Sequence, residues 1–200
     1  MNEIIIYGDI GESIWGESVR AVDVQKNLAS MQGDVTVRIN SPGGSVFDGF
    51  AIYSLLKAHQ GDVTIHVDGL AASAASVIAM AGDTIVMGET AIMMIHNPWT
   101  MAVGDAEEMI KTAQALEKIK DSIVIAYQSK AEGLSVEEIS AMMDDETWMS
   151  ADEAITMGFA SSLTESYAVA NSVERPWINK APEPKADLSG IVLRRKYTIF

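Results

Sequence analysis

No cysteine occurs among the 200 residues, so disulfide frameworks, thiolate metal sites and cysteine nucleophiles are all excluded, while the redox compartment stays open. Positive charge is scarce. Residues 1–165 carry 8 Lys and Arg against 25 Asp and Glu, whereas residues 166–200 carry 6 against 3, and the whole chain has a net charge of −14. An acidic body repels phosphate backbones, which argues against a nucleic-acid partner. Long apolar runs are missing too. The most apolar stretch, Gly69 to Gly82, is shorter than the roughly 20 residues a bilayer crossing needs, so it is expected to be buried in protein, with no membrane partner. The first residues, MNEIIIYGDIG, have no basic segment and hold acids early, unlike a secretory signal, and a cytoplasmic location is expected.

What is present suits a folded chain. A hydrophobic fraction of 48% with 21% charged residues lies in the globular range, and a chain of this length buries roughly 70% of the surface its unfolded form exposes. Val- and Ile-rich segments read as strands: EIIIYGDI, DVTVRIN, DVTIHVDG, DTIVMGE and AIMMIHN. Helical patterns lie between them in SVRAVDVQKNLASM, VFDGFAIYSLLKAH and the small-residue run after Ser73. Alternating strands and helices predict an α/β fold around parallel strands. A long helix is expected from Asp105, which with Glu108 makes a capping box, and a shorter one in SVEEISAMM. Its apolar stripe, Met109, Ala113, Leu116, Ile119, Ile123 and Tyr127, is read as packing on the chain's own core, with an intersubunit role as the alternative. Ser150 is expected to cap a further helix. From Ser166 the texture changes: three of the five prolines fall here, and the ending GIVLRRKYTIF reads as a strand, so residues 166–200 are expected to form a tail or arm.

Three histidines are available as a base near neutral pH. His59 ends a helical pattern, where it suits the helix C-terminus. His66 alternates with Val63, Ile65 and Val67 and so faces the other way along its strand. His96 stands where AIMMI runs into NPW, a junction that displays a side chain at the end of a sheet. INSPGGSV places a Pro-Gly-Gly turn between a strand and a helix; it is either a tight turn or a place where backbone N–H groups are offered to a developing negative charge. Ser73, at the start of the small-residue helix, is either part of close helix packing or a nucleophile. Ser76, one turn on, reads as a buried hydroxyl bonding back to a carbonyl.

Four ordered segments, INSPGGSVFDGFAIYSLL, GLAASAAS, MMIHNP and TWMSADEAITMGFAS, together resemble the proteolytic subunit of the Clp protease over residues 3–165. GDIG, AASAAS and ETWMSADEA are closer in look to its phage and prophage head-maturation branch. The resemblance implies a crotonase-like α/β superhelix of stacked ββα units with a protruding long helix that lies between rings. It makes Ser73 the nucleophile, His96 the general base, and the N–H groups of Gly44 and Ala74 the oxyanion donors, with no metal or cofactor. The family's third member is Asp two residues before an aromatic. Here Glu146 precedes Thr147 and Trp148, so Glu146 is the first candidate and Asp145 the second. Asp145 also replaces an Arg that pairs rings in the family, which leaves the stacking of rings open.

A homo-oligomeric ring, hexameric or heptameric, is expected to cleave polypeptides, capsid proteins among them. The chain starts almost directly at its first strand, so the axial segment that the cellular subunit turns toward its ATPase is expected to be absent, and an ATPase partner is left open. Two rivals remain: a capsid-associated scaffold of the same fold without activity, and a crotonase-type acyl-CoA enzyme.

Overall fold

Alternation decides the centre of the fold. In Val35–Ser41 (β4) the buried residues are Val35, Val37, Ile39 and Ser41, and in Val63–Ala72 (β5) they begin with Val63, Ile65 and Val67. These two strands pair in parallel, Val35 opposite Val63 through Ile39 opposite Val67. The computed structural model of the chain describes residues 2–13 and 17–164. Within them, Asn2–Tyr7 (β1) flanks β4 on one side, and Thr84–Met87 (β6) and Ser162–Leu163 (β9) extend the sheet beyond β5, all in parallel. Asp9–Ile10 (β2) and Ser18–Val19 (β3) form a small separate pair.

β5 is longer than its sequence pattern suggested, and its two halves take different partners. Thr64–Val67 pair with β6, while Leu70–Ala72 pair with Ile92–Ile95 (β7). β7 in turn holds Thr147–Ser150 (β8) in the sheet's antiparallel pair. Neither β8 nor β9 was expected from the sequence: strands of four and two residues carry too little alternation to register.

Helices cover one face. Ala21–Leu28 (α1), Val46–Lys57 (α2) and Ala74–Ala79 (α3) follow their strands as the sequence predicts, and every residue of α3 is buried. The small residues serve close packing: a Cβ on Gly49 of α2 would lie 3.2 Å from the Ala74 Cβ. Of the Gly69 to Gly82 run expected to be buried, Ala71, Ala72 and residues 74–82 are buried, whereas Gly69, Leu70 and Ser73 are half-buried. On the sheet's opposite face, Arg38 donates to both carboxylate oxygens of Asp68, and the Tyr7 hydroxyl donates to the same group at 2.7 Å. His66 lies half-buried on that face, and His59 Nε2–H donates to the Gly33 carbonyl at 2.7 Å, so neither approaches His96.

Ala106–Gln128 (α4) opens with the predicted capping box of Asp105 and Glu108. Its stripe does not pack on the core along its whole length. Ile123 and Tyr127 are buried, whereas Met109 and Ile110 are exposed, because the first half of the helix runs past the edge of its own subunit's core. Val136–Asp144 (α5) and Ala151–Thr156 (α6) both begin with capping boxes, the latter at Ser150 as predicted. The result is the expected α/β architecture with a parallel sheet and a protruding long helix. The arm at 166–200 and its GIVLRRKYTIF strand lie outside the described residues.

The Phe159 ring is fully buried, edge-on to Tyr127 with centroids 5.7 Å apart. Phe159→Ala is expected to lower unfolding free energy by roughly 3–5 kcal/mol, read from urea unfolding; a loss below about 1 kcal/mol would mean that the core there recloses.

Candidate active site

Strand register assembles the site. Ala72 lies beside Met94 in the parallel β5–β7 pair, and Ile95 lies opposite Thr147 in the antiparallel β7–β8 pair. One residue beyond each last pair stand Ser73, His96 and Glu146, so three residues remote in sequence converge at a single corner of the sheet. The Ser73 N–H closes that corner on the Met94 carbonyl at 3.0 Å.

Ser73 turns the chain from β5 into α3 with φ 55° and ψ −126°, a conformation that L residues resist. A comparable strained strand-to-helix turn exposes the nucleophile of α/β-hydrolases. The Pro-Gly-Gly turn presses against it. A Cβ on Gly43 would sit 2.6 Å from the Ser73 Cβ, and one on Gly44, at φ 143°, would sit 2.2 Å from the Ile10 carbonyl oxygen, so only glycine fits. Ile10 holds this turn by accepting from the Ser45 N–H and donating to the Gly43 carbonyl, both at 2.8 Å. Among the described residues, no acceptor takes the N–H of Gly44 or of Ala74.

His96 Nε2 lies 2.9 Å from Ser73 Oγ. Its Nδ1 is 3.9 Å from Glu146 Oε2, an ion-pair distance rather than a hydrogen bond. His96 is 17% exposed at its side chain and Glu146 is 57%. The other Glu146 oxygen accepts from the Trp148 indole N–H at 3.2 Å. Asp145 caps α5 through its backbone, and no hydrogen bond or ion pair joins its side chain to His96 among the described residues.

A group that sequence reasoning missed sits behind the histidine. Asp144 accepts from Lys120 Nζ of α4 at 2.5 Å and from Asn97 Nδ2 at 2.8 Å. The Lys120 and Asn97 donors hold its carboxyl below the usual carboxylate range. Residues so far apart in sequence, all of ordinary surface types, give no local signal.

In front of Ser73 opens a cleft of about 620 Å³. α4 forms one wall with Leu116, Ile119 and Ile123; Val77, Met94 and the exposed rings of Phe47 and Trp99 complete a mostly apolar lining. Among the described residues, no cluster of three or more His, Asp or Glu could hold a metal ion, and no helix is long and apolar enough to cross a membrane.

A family model described as Clp protease matches residues 3–167. The chain is similar to the ATP-dependent Clp protease proteolytic subunit of Bacteroides fragilis, 32% identical over 170 residues, covering 82% of this chain and 79% of that one. Subunit 3 of Rhodococcus jostii is also 32% identical over 170 residues, covering 82% of each chain. Subunit 1 of Chlamydia abortus is 38% identical over 134 residues, 64% of this chain and 69% of its own.

Two outcomes follow from the corner itself. Glu146 adopts φ 50°, so Glu146→Gly is expected to raise stability by about 1 kcal/mol through relief of left-handed backbone; a lower urea midpoint would show the turn unstrained. Asp144 has a lowered pKa in the folded chain. Its contribution is complete above the unfolded carboxylate value of about 3.9 and is lost as pH falls through the folded one. The stability gap between wild type and Asp144→Asn should therefore close on acidification; a gap constant from pH 7 to pH 2 would contradict this.

Proposed function

The chain belongs to the Clp protease family of serine-type peptidases, and we propose that its hydrolysis runs through Ser73, His96 and Glu146 with Gly44 and Ala74 as oxyanion donors. The observation that carries this reading is the 2.9 Å contact between His96 Nε2 and Ser73 Oγ at a strained turn. His96 takes the Ser73 proton as Oγ attacks the scissile carbonyl. The new C–O bond makes a tetrahedral oxyanion, which accepts from the Gly44 and Ala74 N–H groups. Collapse breaks the C–N bond, His96 returns the proton to the leaving amine, and water hydrolyses the acyl-enzyme by the same steps.

Glu146 orients the imidazole in this scheme. At 3.9 Å it must move in by roughly 1 Å to accept from Nδ1–H, and its exposed side chain has room to do so. Asp145, which has no contact with His96, is left a capping role.

The family forms oligomeric rings that act on polypeptides. For this chain the reading is a hexameric or heptameric ring of peptidase bodies, residues 1–165, each with an arm at 166–200. The exposed apolar residues Met101, Val103, Met109 and Ile110 support contacts with other subunits. The finer role is cleavage of capsid-associated polypeptides in phage head maturation, supported by the likeness of GDIG, AASAAS and ETWMSADEA to that branch.

Intact-mass analysis after fluorophosphonate treatment tests the chemistry. One adduct is expected on wild type and none on Ser73→Ala or His96→Ala. Glu146→Gln should react about 10- to 10²-fold more slowly, a smaller loss than that of a tightly bonded triad acid, while Asp145→Asn matches wild type. No adduct on a folded, assembled wild-type chain would overturn the reading.

A further inference from the structure

Two hydroxyls take no part in the proton transfers, yet both are buried directly beneath the nucleophile. Ser76 and Tyr127 are each at most 1% exposed. Ser76 Oγ lies 2.6 Å from the Ser73 carbonyl oxygen. A carbonyl can only accept, so the serine hydrogen points there, and the Tyr127 hydroxyl, 2.8 Å from Ser76 Oγ, is the donor in the second bond. The direction is fixed: Tyr127 donates to Ser76, and Ser76 donates to Ser73. The same carbonyl accepts the N–H groups of Ser76 at 3.0 Å and Val77 at 3.3 Å.

A helical serine bonding back to a carbonyl is ordinary. A phenol from a different helix, buried in order to complete that bond, is not. The Ser73 C=O and the Ala74 N–H are opposite ends of one planar trans peptide. Three donors that hold the oxygen inward therefore hold the N–H outward, where no acceptor in the described residues meets it. This peptide needs holding, because Ser73 stands at φ 55° and ψ −126°, and rotation toward a relaxed ψ would turn the Ala74 N–H out of the cleft.

We infer that Ser76 and Tyr127 are positioning residues that lock the Ser73–Ala74 peptide with its N–H presented to the cleft, tying the oxyanion donor to the seat of α4. The inference rests on the roles assigned above to Ser73 and Ala74. Neither hydroxyl touches substrate; both act through the Ser73 carbonyl.

The test uses the full-length chain and a fluorophosphonate, following the maximal phosphonylation rate, the concentration for half-maximal rate, and thermal unfolding, for Ser76→Ala, Tyr127→Phe and the double variant. Ser76→Ala should lower the maximal rate about tenfold, less than outright loss of an oxyanion donor, and Tyr127→Phe by less. The half-maximal concentration and the pH midpoint should stay at wild-type values, because both replaced side chains are at most 1% exposed and His96 is untouched. Ser76→Ala also strands a buried phenol without its acceptor, so the double variant should regain stability while its rate stays as low as that of Ser76→Ala. A rate that instead tracks stability across the three variants, or a wild-type rate in Ser76→Ala, would overturn the lock. The two failures are separable: an unreactive wild type sinks the peptidase reading and this inference with it, whereas a reactive wild type matched by all three variants sinks the lock alone.

Discussion

One edge of β5 cannot pair with two strands at the same place, and the whole site follows from how the fold meets that constraint. The first half of the edge takes β6 and the second takes β7, so β7 begins where β6 has ended and carries the sheet off as a second arm. Among the described residues, the antiparallel partner, β8, is on that arm. A parallel neighbour sets Ser73 beside the end of β7, and an antiparallel neighbour sets Glu146 across from it. The imidazole of His96 is thereby placed between a hydroxyl and a carboxylate by backbone hydrogen bonds, before any side chain chooses a rotamer. A slip of one residue in either pairing would reverse the side-chain faces and disperse the three groups.

Strain is concentrated at the same corner. Among the described residues, only Ser73 and Glu146 have positive φ without being glycine, and they lie on either side of His96. Backbone of this kind costs about 1–3 kcal/mol at each position and persists only where surroundings enforce it. Around Ser73 the enforcement is visible: Gly43 pressed against its Cβ, the Met94 carbonyl on its N–H, and three donors on its own carbonyl. Around Glu146 it is thinner, a Met143 carbonyl on its N–H at 3.3 Å and an exposed indole on its carboxylate. Ser73 is held more firmly than Glu146, which matches the short contact on one side of His96 and the long one on the other.

Local rules were legible in the sequence wherever a few adjacent residues decide the outcome. The capping box at Asp105, the cap at Ser150, the alternation of β4 and β5, and the inward bond of Ser76 all formed as read. Strands β8 and β9 escaped notice because a long-range partner, rather than their own composition, makes them strands. The stripe on α4 packs on the core at Ile119, Ile123 and Tyr127 but not at Met109, for a related reason: periodicity shows that a face is apolar but not how far the core extends beneath it. At the site, Ser73 and His96 came from ordered motifs, whereas Asn97, Lys120 and Asp144 meet only through the tertiary fold, and nothing in MMIHNP points from Asn97 to those two partners.

α4 joins these levels. Its 23 residues span roughly 35 Å at the helical rise of 1.5 Å per residue. The buried end brings Tyr127 to Ser76, next to Ser73, while its middle brings Lys120 to Asp144 and forms the cleft wall at Leu116 and Ile119. The other end presents Met109 and Ile110 to its surroundings. Among the described residues, two side-chain hydrogen bonds leave this helix, from Tyr127 to Ser76 and from Lys120 to Asp144, and the second shares Asp144 with Asn97, the residue after His96. The small residues of α3 let that helix sit directly against α2 and α4, which keeps the link from Tyr127 through Ser76 to Ser73 short.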